Sequence, residues 1–342
     1  MLAQYVQMTM PGAESVTNEI GLSEAASQNA VLARDYRRLA RESQRVPADI
    51  SAYIREQRLT DLSAAHSTRR AIYTVTLYVS LAAIGLWADQ LAVWCAVWVV
   101  MGFSMIGGAA GMHEGVHGLL YKTRWLNDLA ASFWAAILLL PFETYRRFHL
   151  AHHRSVSTPE DPEPRMPFTN VFQYAFVMLL ASPVFVGLMW TFGVRTVIGR
   201  PPAFLRTQTA RRGVTINLGL LGVWLAFLIV ATTLWPDTLL RLFWVPWQFA
   251  MVFVTMATTA EHYGCKPGPD SAFVTTRTTT SNALLCWFFW NSNYHGVHHL
   301  HPGVPSHRLP QLHEHVKQRF EHVEPSYLGW HGRMVARLLR RR

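Results

Sequence analysis

Eight of the sixteen histidines in this 342-residue chain fall in three short clusters. They are His113-Glu-Gly-Val-His117, His149-Leu-Ala-His152-His153 and His295-Gly-Val-His298-His299. Imidazole is the commonest side-chain metal ligand at neutral pH. On a helix, positions i, i+3 and i+4 share a face, so each cluster can present two or three ring nitrogens together. Nitrogen donors suit iron, zinc, copper or nickel. Eight rings are too many for one ion. The pattern therefore predicts a two-metal site, and the apolar segments beside each cluster put it at a membrane surface.

The elements that must position these rings are apolar helices. Half of the residues are hydrophobic and only 15% are charged, against roughly 25% charged in an ordinary soluble domain. Four segments, 71–88, 91–111, 214–234 and 238–259, approach or reach the ~20 apolar residues a membrane-crossing helix needs. The short links Ala88-Asp89-Gln90 and Trp235-Pro236-Asp237 join them as two hairpins. The expected fold is an all-α integral membrane protein with four transmembrane helices in two hairpins. Two further apolar stretches, 126–140 and 171–192, are expected to be interfacial or re-entrant. A crossing by the first alone would separate the first histidine cluster from the other two. A crossing by the second alone would separate the third from the other two, and two crossings would isolate the second from both others. A shared site tolerates none of these.

The net charge is +10, and its distribution argues against a nucleic-acid partner. Nine arginines precede Ala71, six basic residues fall in 122–165, five in 195–212 and ten from Lys266 onward; only Arg241 falls in an expected outer loop. This asymmetry is what positive-inside orientation produces. It predicts cytosolic termini and a cytosolic metal site, with a bacterial inner membrane as the setting. Residues 1–70 read as a polar cytosolic region, with a helix over 23–45 that carries Val31, Leu32, Tyr36 and Leu39 on one stripe. Residues 71–315 form the membrane catalytic domain, and 316–342 a basic cytosolic helix or tail. No basic segment followed by an apolar one opens the chain, so no cleaved signal peptide is expected. Cys95, Cys265 and Cys286 show no paired spacing, which predicts reduced thiols.

His113-Glu114-Gly-Val-His117 also fits H-E-x-x-H, the zinc-protease signature in which the glutamate is general base. An intramembrane zinc protease would leave the other six clustered histidines unexplained. The chain also has no Asp-Gly dipeptide to supply the usual intramembrane third-ligand motif.

The order HxxxH, HxxHH, then HxxHH after a second hairpin resembles the membrane fatty acid desaturase and hydroxylase family. So do Thr158-Pro-Glu-Asp161-Pro162 after the second box, and Asn293-Tyr-His295 through Pro305 with Leu309-Pro-Gln-Leu-His313 at the last. The resemblance covers roughly 70–315. It implies a non-haem di-iron centre held mostly by histidine, with a cytosolic helical cap carrying the boxes. It also implies one more ligand near the inner end of the fourth transmembrane helix, where His262 stands. The ligand set is then His113, His117, His149, His152, His153, His262, His295, His298 and His299.

Ligating histidines commonly give their other N–H to a carboxylate or carbonyl. Glu114, Asp161, Glu261 and Asn293 are the candidates for that role, with Asp128, Glu143, Glu160 and Glu163 weaker ones. His301 departs from the aromatic usual in the family and is expected at the surface; His313 and His315 are expected to face solvent. The activity implied is O2-dependent desaturation of a lipid-like acyl chain or a related hydrophobic metabolite. A hydroxylase or ketolase on the same scaffold is the alternative. No nucleotide fingerprint such as GxGxxG and no fused carrier domain is present, so no bound flavin or haem is expected. Electrons would come from an external ferredoxin-, rubredoxin- or cytochrome-type carrier, for which Arg146, Arg147, Arg308, Lys317 and Arg319 could form a docking face.

Overall fold

The computed structural model describes residues 46–156, 158–163, 167–267 and 271–340. The helix expected over 23–45 lies outside them. The described residues fold almost entirely into helices. One parallel pair of two-residue strands, β1 (Thr278–Thr279) and β2 (Val323–Glu324), ties the loop before the last histidine box to the chain's C-terminal part.

After a short helix α1 (Ala48–Glu56), α2 (Ala64–Ala88) and α3 (Leu91–Val116) form the first hairpin. The Ser63 side chain caps α2 by accepting from the His66 N–H, so this helix starts before residue 71. Ile72, Val79 and Leu86 recur every seven residues and are exposed. A helix that turns a continuous apolar stripe outward needs lipid as its solvent. By contrast, α3 is buried almost continuously from Met101 to Val116 and forms the centre of the bundle.

α4 (Arg124–Ile137) packs against α3, where Gly115 is required: a Cβ there would stand 2.2 Å from the Ala131 Cβ. α4 and α5 (Phe142–Ser155) meet at a bend of 101°. The turn is a Schellman motif with Leu139 in the left-handed region (φ 57°). In it Leu139 N–H bonds Ala136 O, and Leu140 N–H bonds Ala135 O. Carbonyls freed at a helix end are costly away from water. Two indoles satisfy them here, Trp247 donating to Leu138 O and Trp190 to Leu139 O, while Trp224 adds a second donor to Ala136 O.

Next come α6 (Val171–Val197), α7 (Gln208–Leu234) and α8 (Pro236–His262, with a π-turn at Leu240–Trp244). Five described helices, α2, α3, α6, α7 and α8, are long and apolar enough to cross a membrane by length and composition. Four were expected. The extra one is α6, which runs unbroken through Pro183. Beside that proline, the Ser182 hydroxyl and Thr255 hydroxyl on α8 hydrogen-bond at 2.7 Å.

The remaining elements are α9 (Ala272–Thr275), α10 (Ala283–Phe288), α11 (His295–Leu300), α12 (Leu309–Val316) and α13 (Tyr327–Arg340). Ile50 and Ile54 of α1, with Leu59, close a separate apolar core against Val297, Leu300, Leu309, Leu312 and Val316. Part of the N-terminal region thus buttresses the last histidine box. His313 corrects the sequence expectation: it is 2% exposed, on the α12 face formed by Leu309, Leu312 and Val316. His315 lies stacked on Tyr53. α13 buries Tyr327, Trp330, His331, Met334 and Leu338 at helical spacing, and it packs on α8 and α6.

Candidate metal centre

Four elements bring the nine predicted histidines to one place. The C-terminal end of α3 carries His113, and its cap residue is His117; α5 carries His149, His152 and His153. His262 ends α8, and α11 carries His295, His298 and His299. Consecutive residues on a helix point about 100° apart, so each HH pair straddles two groups. His113, His117, His149, His153 and His298 form one; His152, His262 and His299 form the other. Within each group the candidate ligand atoms lie within 4.8 Å of one another. His295 joins the second, its Nε2 2.8 Å from that of His262.

The spacings fit metal binding better than hydrogen bonding. His149 Nε2 stands 2.9 Å from both His113 Nε2 and His153 Nε2, and His153 Nε2 is 3.1 Å from His298 Nε2. One ring nitrogen has a single proton or a single lone pair, so His149 cannot serve both neighbours at once. Adjacent nitrogens on one ion with metal–nitrogen bonds of ~2.0–2.1 Å, at right angles, would stand about 3 Å apart. Among the described residues, His117 Nε2 and His299 Nε2 are buried without a hydrogen-bond partner. Burial, then the neighbouring imidazoles, holds His295, His298 and His299 well below the ordinary imidazole range. These rings are neutral, with a lone pair free for a metal.

Carboxylates orient two of the rings from behind. Asp161 Oδ1 lies 2.8 Å from His152 Nδ1, and Glu163 Oε2 lies 3.4 Å from the same nitrogen. Glu261 Oε2 is 3.4 Å from His295 Nδ1, while its Oε1 accepts from the Tyr327 hydroxyl at 3.3 Å. Burial, then Glu261, holds the Tyr327 phenol well above its usual range, so it remains a donor. The other two candidates act on the backbone. Glu114 accepts from the Ser306 N–H at 3.0 Å, and Asn293 donates to Thr279 O at 2.6 Å, pinning the segment before the last box to β1. A cavity of about 300 Å³ borders His153, His299 and the half-buried His301, giving the rings an approach from the cap.

The family model for fatty acid desaturases matches residues 90–330. The chain belongs to the fatty acid desaturase family. An sn-1 oleoyl-lipid 12-desaturase of Anabaena variabilis is 22% identical over 274 residues, covering 77% of this chain and 67% of its own. An endoplasmic reticulum omega-3 fatty acid desaturase of Vigna radiata var. radiata is 22% identical over 292 residues, with 77% and 74% covered. The chloroplastic sn-2 acyl-lipid omega-3 desaturase (ferredoxin) of Arabidopsis thaliana is 21% identical over 267 residues, with 71% and 59% covered. The chain is thus an oxidoreductase enzyme, and its long apolar helices make it an integral membrane desaturase.

Two residues around this desaturase's histidines gave no sequence signal. Tyr327 lies far along the chain from Glu261, and the Tyr145 ring stacks on His149 with centroids 5.4 Å apart. One expectation fails outright: Arg146 is 4% exposed and paired with Asp128 and Glu143, so it cannot present itself to an electron carrier. Glu114, the base in the protease reading, accepts from the Ser306 backbone N–H.

Proposed function

We propose that the nine histidines hold two iron ions and that the enzyme introduces a double bond into the acyl chain of a lipid. The observation that carries this reading is the division of the histidines into two facing groups. His113, His117, His149, His153 and His298 would hold one ion; His152, His262, His295 and His299 would hold the other. When bound, the iron pair supplies O2-dependent oxidation of unactivated C–H bonds. Two hydrogens leave adjacent carbons, and O2, with two further electrons and two protons, leaves as two waters. Asp161 and Glu261 fix the tautomers of His152 and His295, so that the opposite ring nitrogens point inward. The ferredoxin in the name of the Arabidopsis relative favours an external carrier of that kind here. The test is metal analysis joined to lipid mass spectrometry of cells with and without the gene. About two irons per chain and acyl lipids lighter by two hydrogens are expected. One zinc and an unchanged lipid profile would overturn the reading.

The same reading constrains topology. Residues that share a site on one side of a bilayer are separated by an even number of crossings. Between His153 and His262 stand α6, α7 and α8, so α6 is taken as lying along or within the near leaflet. Both of its ends adjoin histidine-bearing elements, which supports this. The Phe168 N–H donates to the hydroxyl of Tyr263, next to His262, and Gly193 abuts Thr144 of α5. Four crossings then remain, with the termini and the histidines cytosolic. In a background lacking Cys95, Cys265 and Cys286, a cysteine replacing Arg154 should react with membrane-impermeant reagent only from the cytosolic face. Labelling from the opposite face would break the shared-side argument.

A further inference from the structure

α2 carries a buried cation that no carboxylate meets among the described residues. Arg70 is 8% exposed, and its Nε is buried without a hydrogen-bond partner among the described residues. Its guanidinium lies 4.6 Å from the centre of the Trp287 ring and 5.6 Å from that of Trp290. A desolvated charge without a counter-charge is expensive, and aromatic faces return only part of that cost. The charge opens into a cavity of about 380 Å³ that is also lined by His66, Thr280, Ser281, Asn282 and Asn291. None of the lining residues is acidic. His66 Nε2 is a second buried nitrogen there without a hydrogen-bond partner among the described residues. The turns on either side of α10 are held in a costly shape, with Ser281, Trp290 and Asn291 all at left-handed φ (51°, 51° and 64°).

Its position gives the ligand. Thr74 of α2 packs opposite Gly107 of α3, so Arg70, one turn nearer the start of α2, lies toward the end of the hairpin that carries His113. Trp290, which faces the Arg70 guanidinium, also abuts Gly111, so one tryptophan touches both Arg70 and the helix leading to His113. This is the depth at which an apolar helix gives way to polar residues, where lipid head groups lie. Fixed donors with no internal acceptor suit an anion with several oxygens, and arginine matches phosphate in a bidentate manner.

We infer that this cavity is an anion subsite that takes the phosphate of a phosphate-bearing acyl lipid, with Arg70 and His66 as donors. The inference rests on the acyl-lipid reading and adds the head-group chemistry of the substrate. The test is native mass spectrometry of the full-length protein in neutral detergent, with dioleoyl phosphatidylglycerol, dioleoylglycerol and inorganic phosphate as probes. Phosphatidylglycerol should be retained about tenfold more tightly than dioleoylglycerol, the effect of one or two charge-assisted hydrogen bonds. Arg70→Gln should erase that preference, and Arg70→Lys should keep part of it. Equal retention of the two lipids, or an undiminished preference in Arg70→Gln, overturns the subsite. Inorganic phosphate binding as tightly as the phospholipid would make this a soluble-phosphate site and overturn the lipid assignment. If Arg70→Gln does not fold, His66→Phe carries the comparison, and an unchanged preference there counts against the proposal. Iron measured in the same samples reports separately on the histidine centre: lipid preference without iron keeps the subsite and removes the di-iron reading.

Discussion

His298→Ala is expected to strip iron from the five-histidine group and to lower turnover by at least about 100-fold, the upper end of what losing even an outer partner of a ligand costs. His298 is 1% exposed, and its ring centroid lies within 5 Å of those of His113, His117 and His153. It is the only member of that group supplied by α11. Its removal would take one nitrogen from the proposed ion and also unlink the cap from α3 and α5. The fold should survive, because Val297 and Leu300 stay locked in the apolar core with α1. Iron per chain, helix content by circular dichroism and product formation on the same sample check the prediction. His313→Ala is the control, since His313 is equally buried but stands in neither group. Full iron with full turnover in His298→Ala would remove this ring from the metal site.

The histidines of the candidate site, and the fact that they belong together, were legible in the sequence, because spacing along a helix is a local property. Their partition was not. Adjacent histidines such as His152 and His153 diverge by helix phase, and which group each enters depends on where α3 and α8 end in space. His313 was misjudged for a different reason: Glu314 and Lys317 nearby hid the i, i+3, i+4, i+7 stripe of Leu309, Leu312, His313 and Val316 that buries it. Charge counting placed Arg70 and Arg146 with the other inner-face arginines. Folding buries both, one against Trp287 and the other between Asp128 and Glu143. The α6 segment shows where hydropathy runs out, since composition alone does not separate a crossing helix from one lying along the membrane. Tryptophans capping the α4 carbonyls were equally invisible, because each bond joins residues far apart in the chain.

Asp161→Asn should weaken iron binding at the second histidine group by about 10–100-fold, the usual cost of altering the partner behind a ligating imidazole. The substitution is close to isosteric and isolates the charge. Asn keeps an oxygen that can accept from His152 Nδ1–H and from the Glu163 N–H, which Asp161 Oδ1 now meets at 2.8 and 3.0 Å. Loop geometry is therefore preserved, while the negative charge that raises the basicity of His152 is lost. Glu261→Gln should cost less. Its oxygen stands 3.4 Å from His295 Nδ1, and its other oxygen is already engaged by Tyr327. The ordering of the two variants carries the argument, because a merely structural role would make their effects follow unfolding rather than iron affinity. Chelator competition against iron-loaded protein, with thermal unfolding measured alongside, separates the two. Unchanged iron affinity in Asp161→Asn, or a loss that tracks the melting temperature alone, would show that the carboxylate behind His152 supports the loop and not the ligand.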